Sequence, residues 1–69
     1  MKVVAIELIW EGGWYCRLKC DDGTERDSPL SGSRRAGKQH LLPQARAEAR
    51  AWGWKIKPDM TLTIKGPVC

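Results

Sequence analysis

Histidine occurs once in this chain, at position 40, no serine sits in an elbow motif, and no glycine-rich phosphate loop of the required pattern is present. A catalytic site needs a nucleophile, a base and an orienting group, and this inventory supplies them so thinly that an enzyme is not expected. Cysteine is scarce and odd in number, at positions 16, 20 and 69, so no complete disulfide framework follows. Cys16 and Cys20 share one face of an extended segment but lie roughly 13 Å apart along it, too far for a disulfide. Buried thiols in a reducing compartment are the expectation. A zinc site would have to recruit Cys16, Cys20, His40 and Cys69 together, so neither a metal nor another cofactor is expected. Asp21-Asp22 before Gly23 reads as turn chemistry rather than a cation site. Long apolar runs are also missing. The N-terminus carries one Lys and then alternating residues, and nothing approaches the ~20 residues of a membrane span. The expectation is a soluble, cytoplasmic protein with no membrane partner.

What the chain does have is 69 residues and a net charge of +4. That length makes residues 1–69 a single domain with one small core. The charge is uneven: residues 1–27 carry four basic and six acidic side chains, whereas residues 28–57 carry seven basic ones against Glu48 alone. A positive field over the second half suits nucleic acid, an acidic protein or anionic lipid, or simply keeps a small protein soluble.

The stretch from Val3 to Cys20 organises the rest. With a three-residue loop at Glu11-Gly12-Gly13, Trp10 opposes Trp14, Leu8 opposes Cys16, Ile6 opposes Leu18 and Val4 opposes Cys20. All eight are apolar. The other face pairs Ile9 with Tyr15, Glu7 with Arg17, Ala5 with Lys19 and Val3 with Asp21. A two-residue loop would set Leu8 against Arg17 and Ile6 against Lys19, because a one-residue slip inverts a strand's facing. Three-residue loops usually end on a left-handed residue, and Gly13 is expected to take it.

Asp21-Asp22-Gly23 is a second turn of the same length. It sets Lys19 against Glu25 and Arg17 against Asp27, where a two-residue turn would oppose Lys19 to Arg26 and incur like-charge repulsion. A ladder Glu7–Arg17–Asp27 results. The third strand is polar on both faces and ends at Pro29, as befits a protected edge.

Ser31 to His40 reads as a mobile loop. Leu41, Leu42, Ala45, Ala49 and Trp52 then recur at near-helical spacing. This gives one helix of about 10 residues, with Pro43 in its first turn and Gly53 at its left-handed cap. The stripe should dock on the inner face of the hairpin and bring Trp52 to Trp10 and Trp14. Ile56 begins an extended segment, Pro58-Asp59 turns it, and Met60 to Ile64 alternates as a last strand. The expected architecture is α+β: strand-strand-strand-helix-strand, a four-stranded sheet in the order 3-2-1-4, and one helix packed on one face. A β-grasp and the three-stranded sheet plus helix of phage-integrase arm-binding domains are the alternatives.

The run Ile6 to Leu18, with Glu11-Gly12-Gly13-Trp14-Tyr15 at its turn, and Ala47-Glu48-Ala49 in the helix resemble the small module of the HicB antitoxin family. The likeness extends to the polar third strand and the short terminal strand, so its layout covers nearly the whole chain. It implies a module that binds and neutralises a small basic RNA-cleaving toxin.

The expected function is a non-enzymatic binding module, antitoxin- or inhibitor-like, and the family-like layout places a protein partner ahead of nucleic acid. A homodimer is compatible with either. For a protein partner, Tyr15 and Trp54 would form an exposed aromatic patch beside Arg17 and Lys19. For nucleic acid, Arg34, Arg35, Lys38, Arg46, Arg50, Lys55 and Lys57 would contact phosphates with little base readout.

Overall fold

A computed structural model describes residues 1–66. The chain forms β1 (Lys2–Trp10), β2 (Trp14–Cys20), β3 (Glu25–Pro29), α1 (Lys38–Ala51) and β4 (Lys55–Lys65). The strands make one sheet in the order β3-β2-β1-β4, with β4 parallel to β1 and the other neighbours antiparallel. This is the expected α+β arrangement. No helix is long and apolar enough to cross a membrane among the described residues.

Both hairpin registers follow from the facing argument. Trp10 pairs with Trp14, Leu8 with Cys16, Ile6 with Leu18 and Glu7 with Arg17, while Arg17 meets Asp27 and Lys19 meets Glu25 across the second turn. The indole rings of Trp10 and Trp14 meet edge to face at 5.5 Å, a favoured aromatic geometry. The two turns differ internally. Gly23 takes positive φ at the third position of its loop and donates its N–H to the Cys20 carbonyl at 3.1 Å. In the first loop the left-handed residue is Gly12, at φ 72°, and not Gly13. There the Glu11 N–H turns inward to the Gly13 carbonyl at 3.0 Å, so the reversal falls on the middle residue.

The far end of β1 departs from a regular ladder. Pairing shifts between Val3 and Ala5, so Cys20 meets Val3 and not Val4. Val4 is the extra residue of a bulge. The slip turns Val3 fully into the core and leaves Val4 half-buried. Opposite the same point β4 makes an excursion: Val3 pairs with Ile56 but Ala5 pairs with Thr61. Pro58, which has no N–H for a ladder, lies in that excursion, and the strand resumes beyond it instead of turning away.

The core lies between the sheet and α1, where Leu41, Ala45 and Ala49 cover Val3, Ile6, Leu8, Trp14, Cys16, Leu18 and Cys20. The helix is longer than its apolar stripe implied. It starts at Lys38 and contains Pro43 inside it, one turn later than expected. Its N-terminus is fixed from outside: Gln44 accepts from the Ser31 N–H at 2.8 Å and donates to the Ser31 carbonyl at 2.6 Å. Trp14 Nε1 donates to the Ser33 carbonyl at 2.6 Å. Ser31 and Ser33 are therefore tied to α1 and β2, and Lys38, Gln39 and His40, read as loop from composition, belong to the helix.

At the C-terminus Gly53, at φ 77°, donates to the Arg50 carbonyl and Trp54 to the Ala49 carbonyl, both at 2.9 Å. These two bonds define a Schellman cap, and Trp54 supplies its apolar contact. The cap also corrects the expected role of Trp52. A 14-residue helix is about 21 Å long, and α1 runs from the Trp14 end of the sheet to the Lys2 end. Trp52 is thus carried away from Trp10 and Trp14, remains 47% exposed, and stacks on Trp54 at 6.1 Å. Trp54 is the one that enters the core.

Candidate functional site

The outer sheet face carries a charge cluster built by register alone. Glu7 is central, with Lys65 Nζ at 3.1 Å, Lys19 Nζ at 3.7 Å and Arg17 at 3.9 Å. Arg17 also holds Asp27 through bonds of 2.9 and 3.3 Å. The Glu7 side chain is only 12% exposed. Its hydrogen bond from Lys65, with the surrounding cations, holds the carboxyl below its ordinary range against the opposing effect of burial. Arg17 likewise holds Asp27 low through its hydrogen bonds, and Asp27 raises the guanidinium in return. These charges pair with one another, although Glu7 Oε1 itself is buried without a hydrogen-bond partner among the described residues. Arg17 and Lys19, expected at a partner-binding surface, are engaged internally.

Tyr15 stands on this outer face, half-buried, above a shallow concavity shared with Glu11, Arg17, Asp27, Ser28 and Pro29. Trp54 is not beside it. Buried on the helix side and only 9% exposed, Trp54 cannot form an exposed patch with Tyr15, because the sheet separates them. The sequence pattern placed both residues next to cations but could not assign Trp54 to a face, which the Schellman cap decides.

The basic residues of the second half behave differently. Arg46 and Arg50 of α1, with Lys55 and Lys57 of β4, line an open cavity of ≈ 580 Å³ whose remaining wall is Trp54, Ile56, Pro58 and Met60. Arg46 also borders a second hollow of ≈ 310 Å³, together with Lys38, Gln39, Leu42, Pro43 and Leu62, so the two hollows adjoin at Arg46. Lys38, Leu42, Arg46 and Arg50 are four apart, so one helix stripe supplies the cations on that side. The β4 excursion supplies Lys57 and Pro58 on the other. Five of the seven expected phosphate-binding residues therefore line these two adjoining hollows, which together form the groove between α1 and β4. Arg34 and Arg35 are exposed in the turn before α1 and line neither hollow.

Among the described residues, every ion pair involves Glu7 or Arg17. The groove cations have no carboxylate partner there. Arg50 also lies in the last turn of α1, where the helix dipole favours positive charge. What sequence reasoning missed in the groove is its apolar floor of Ile56, Met60 and Leu62; the proline interrupting a β-like segment was the available signal. The role of Lys65 in neutralising Glu7 was also missed, because it depends on the parallel pairing of β4.

No three metal-ligating side chains converge among the described residues. Cys16 and Cys20 are free and buried, and burial pushes the Cys16 thiol up to about 11 and the Cys20 thiol upward as well. Both are poor nucleophiles at neutral pH. Cys69, the remaining thiol of the conceivable zinc set, lies outside the described residues. Comparison with protein-family models, curated proteins and solved structures finds no match for this chain.

Proposed function

We propose that this domain is a non-enzymatic binding module that holds the phosphate backbone of nucleic acid in the groove between α1 and β4. The observation that carries this reading is the gathering of Lys38, Arg46, Arg50, Lys55 and Lys57 along one groove with no carboxylate partner among the described residues. Cations arranged along a track replace the counterions of a polyanion, and their release drives binding. Base readout is secondary. Trp52, the exposed indole, already has Trp54 stacked against it and the Arg26 guanidinium 4.4 Å over its ring, so a base would have to displace one of them.

The HicB-like layout supports a second reading, with a protein partner. Its specific observation is Trp52 itself, exposed and flanked by Arg26; tryptophan and arginine are the side chains that most often anchor protein interfaces. This reading ranks second because a small basic toxin would be repelled by a chain of net charge +4.

Titration of the protein against random-sequence duplex DNA by fluorescence anisotropy tests the first reading. Affinity is expected to fall steeply between about 50 and 200 mM salt. Affinity that is undetectable at low salt, or insensitive to salt, removes the nucleic-acid reading and leaves the protein partner.

A further inference from the structure

We propose that the outer edge of β4 pairs antiparallel with β4 of a second copy of this chain, joining two sheets into one of eight strands. The two edges of the sheet are built differently. β3 is five residues long, exposes Glu25, Arg26 and Asp27 and ends on Pro29, which are the devices that keep an edge from pairing. β4 is eleven residues long and, among the described residues, pairs only with β1. From Thr61 to Lys65 it follows β1 without irregularity, contains no proline, and alternates Thr with Leu62 and Ile64. These are residue types that favour extended pairing.

The segment is complementary to itself. In an antiparallel pairing centred on Thr63, each Leu62 opposes Ile64 of the other copy, and each Thr61 opposes Lys65. No like charges face directly. Ile64, 47% exposed in the single chain, gains an apolar neighbour on the helix side, which gives its exposure a physical cause. Leu62 also borders the hollow that holds Lys38 and Arg46, so the pairing brings the two basic grooves to either side of the joint.

That arrangement has an electrostatic cost, since each copy carries +4 and the groove cations approach one another. Screening should relieve it. Association is therefore expected to strengthen with salt, the reverse of the dependence expected for nucleic-acid binding. The inference rests on β4 and not on the nucleic-acid reading, and its test needs no nucleic acid.

Light scattering on nuclease-treated protein, from micromolar to millimolar and at increasing salt, should show the mass rising from 7.8 kDa toward twice that value. Ile64→Glu should keep the protein monomeric with an unchanged circular dichroism spectrum and melting curve, because the side chain it replaces is half exposed. In a Cys69→Ser background, Thr63→Cys should give a disulfide-linked dimer on mild oxidation, as it meets its own counterpart at the two-fold axis. Thr61→Cys lies four residues from its counterpart and should not. A protein that remains monomeric at millimolar concentration and high salt overturns the proposal. So does equal cross-linking at both positions, or an Ile64→Glu variant that dimerises like the parent.

Discussion

The outer sheet face and the groove beside α1 both carry several cations, and they treat them in opposite ways. On the outer face Arg17, Lys19 and Lys65 converge on Glu7, with Asp27 completing the cluster. In the groove Lys38, Arg46, Arg50, Lys55 and Lys57 border open space instead. A cation that already has an anion contributes to the fold and offers little to a partner. One without an anion gains no ion pair in the fold, and its charge is available. Charge count alone does not separate these cases; pairing does.

The largest effect should come from emptying the groove. Arg46→Ala, Arg50→Ala, Lys55→Ala and Lys57→Ala combined should lower affinity for random duplex DNA by about a hundredfold and reduce the slope of log affinity against log salt by about three to four units. Arg17→Ala with Lys19→Ala should leave that slope nearly unchanged. Equal losses in the two sets would erase the distinction between paired and unpaired cations.

Glu7→Gln attacks the other side of the comparison. It leaves three cations without their common carboxylate, and should cost about 1–3 kcal/mol of stability at neutral pH. The pH dependence has a fixed sign. Glu7 and Asp27 are held below their ordinary range in the fold, so their contribution is full above their unfolded values and fades as pH falls through the folded ones. Urea titrations should therefore show parent and Glu7→Gln differing at neutrality and converging between about pH 5 and pH 3. Curves that remain parallel through that range would count against the cluster.

The loop that sets Glu7 opposite Arg17 gives a smaller effect. Gly12→Val places a β-branched residue at positive φ and should destabilise by more than about 1 kcal/mol. Nothing lies within 4 Å of a Cβ at either Gly12 or Gly13, so Gly13→Val, which meets neither crowding nor positive φ, should cost less. A reversal of that order in thermal melts would move the turn to Gly13. The smallest effect is on Trp52. Trp52→Ala should change stability by only about 1 kcal/mol, because the ring is half exposed and loses only Trp54 and Arg26. A much larger loss would mean that Trp52 belongs to the core.

The parts that were legible in the sequence were those where neighbours in space are near neighbours along the chain. Both hairpin registers, the polar third strand and the Gly53 cap follow from alternation, like-charge avoidance and a single glycine. The helix start was not legible, since Lys38, Gln39 and His40 add nothing to an apolar stripe and the helix is anchored by Gln44 reaching Ser31. The seven basic residues could be named in advance, but not the five that share a groove.

Period-two alternation and turn length by themselves determined the β1–β2–β3 sheet and its charge ladder, because a one-residue slip there would have buried Arg17 or Lys19 against Ile6 and Leu8. Only the tertiary structure decided the rest. The length of α1 carried Trp52 past the core and left Trp54 to fill it. The β1 bulge and the β4 excursion opposite it opened the groove, and the parallel pairing of β4 brought Lys65 to Glu7. Each of these depends on contacts between residues far apart in the chain, where local pattern has no means of recording which face or which partner a side chain will meet.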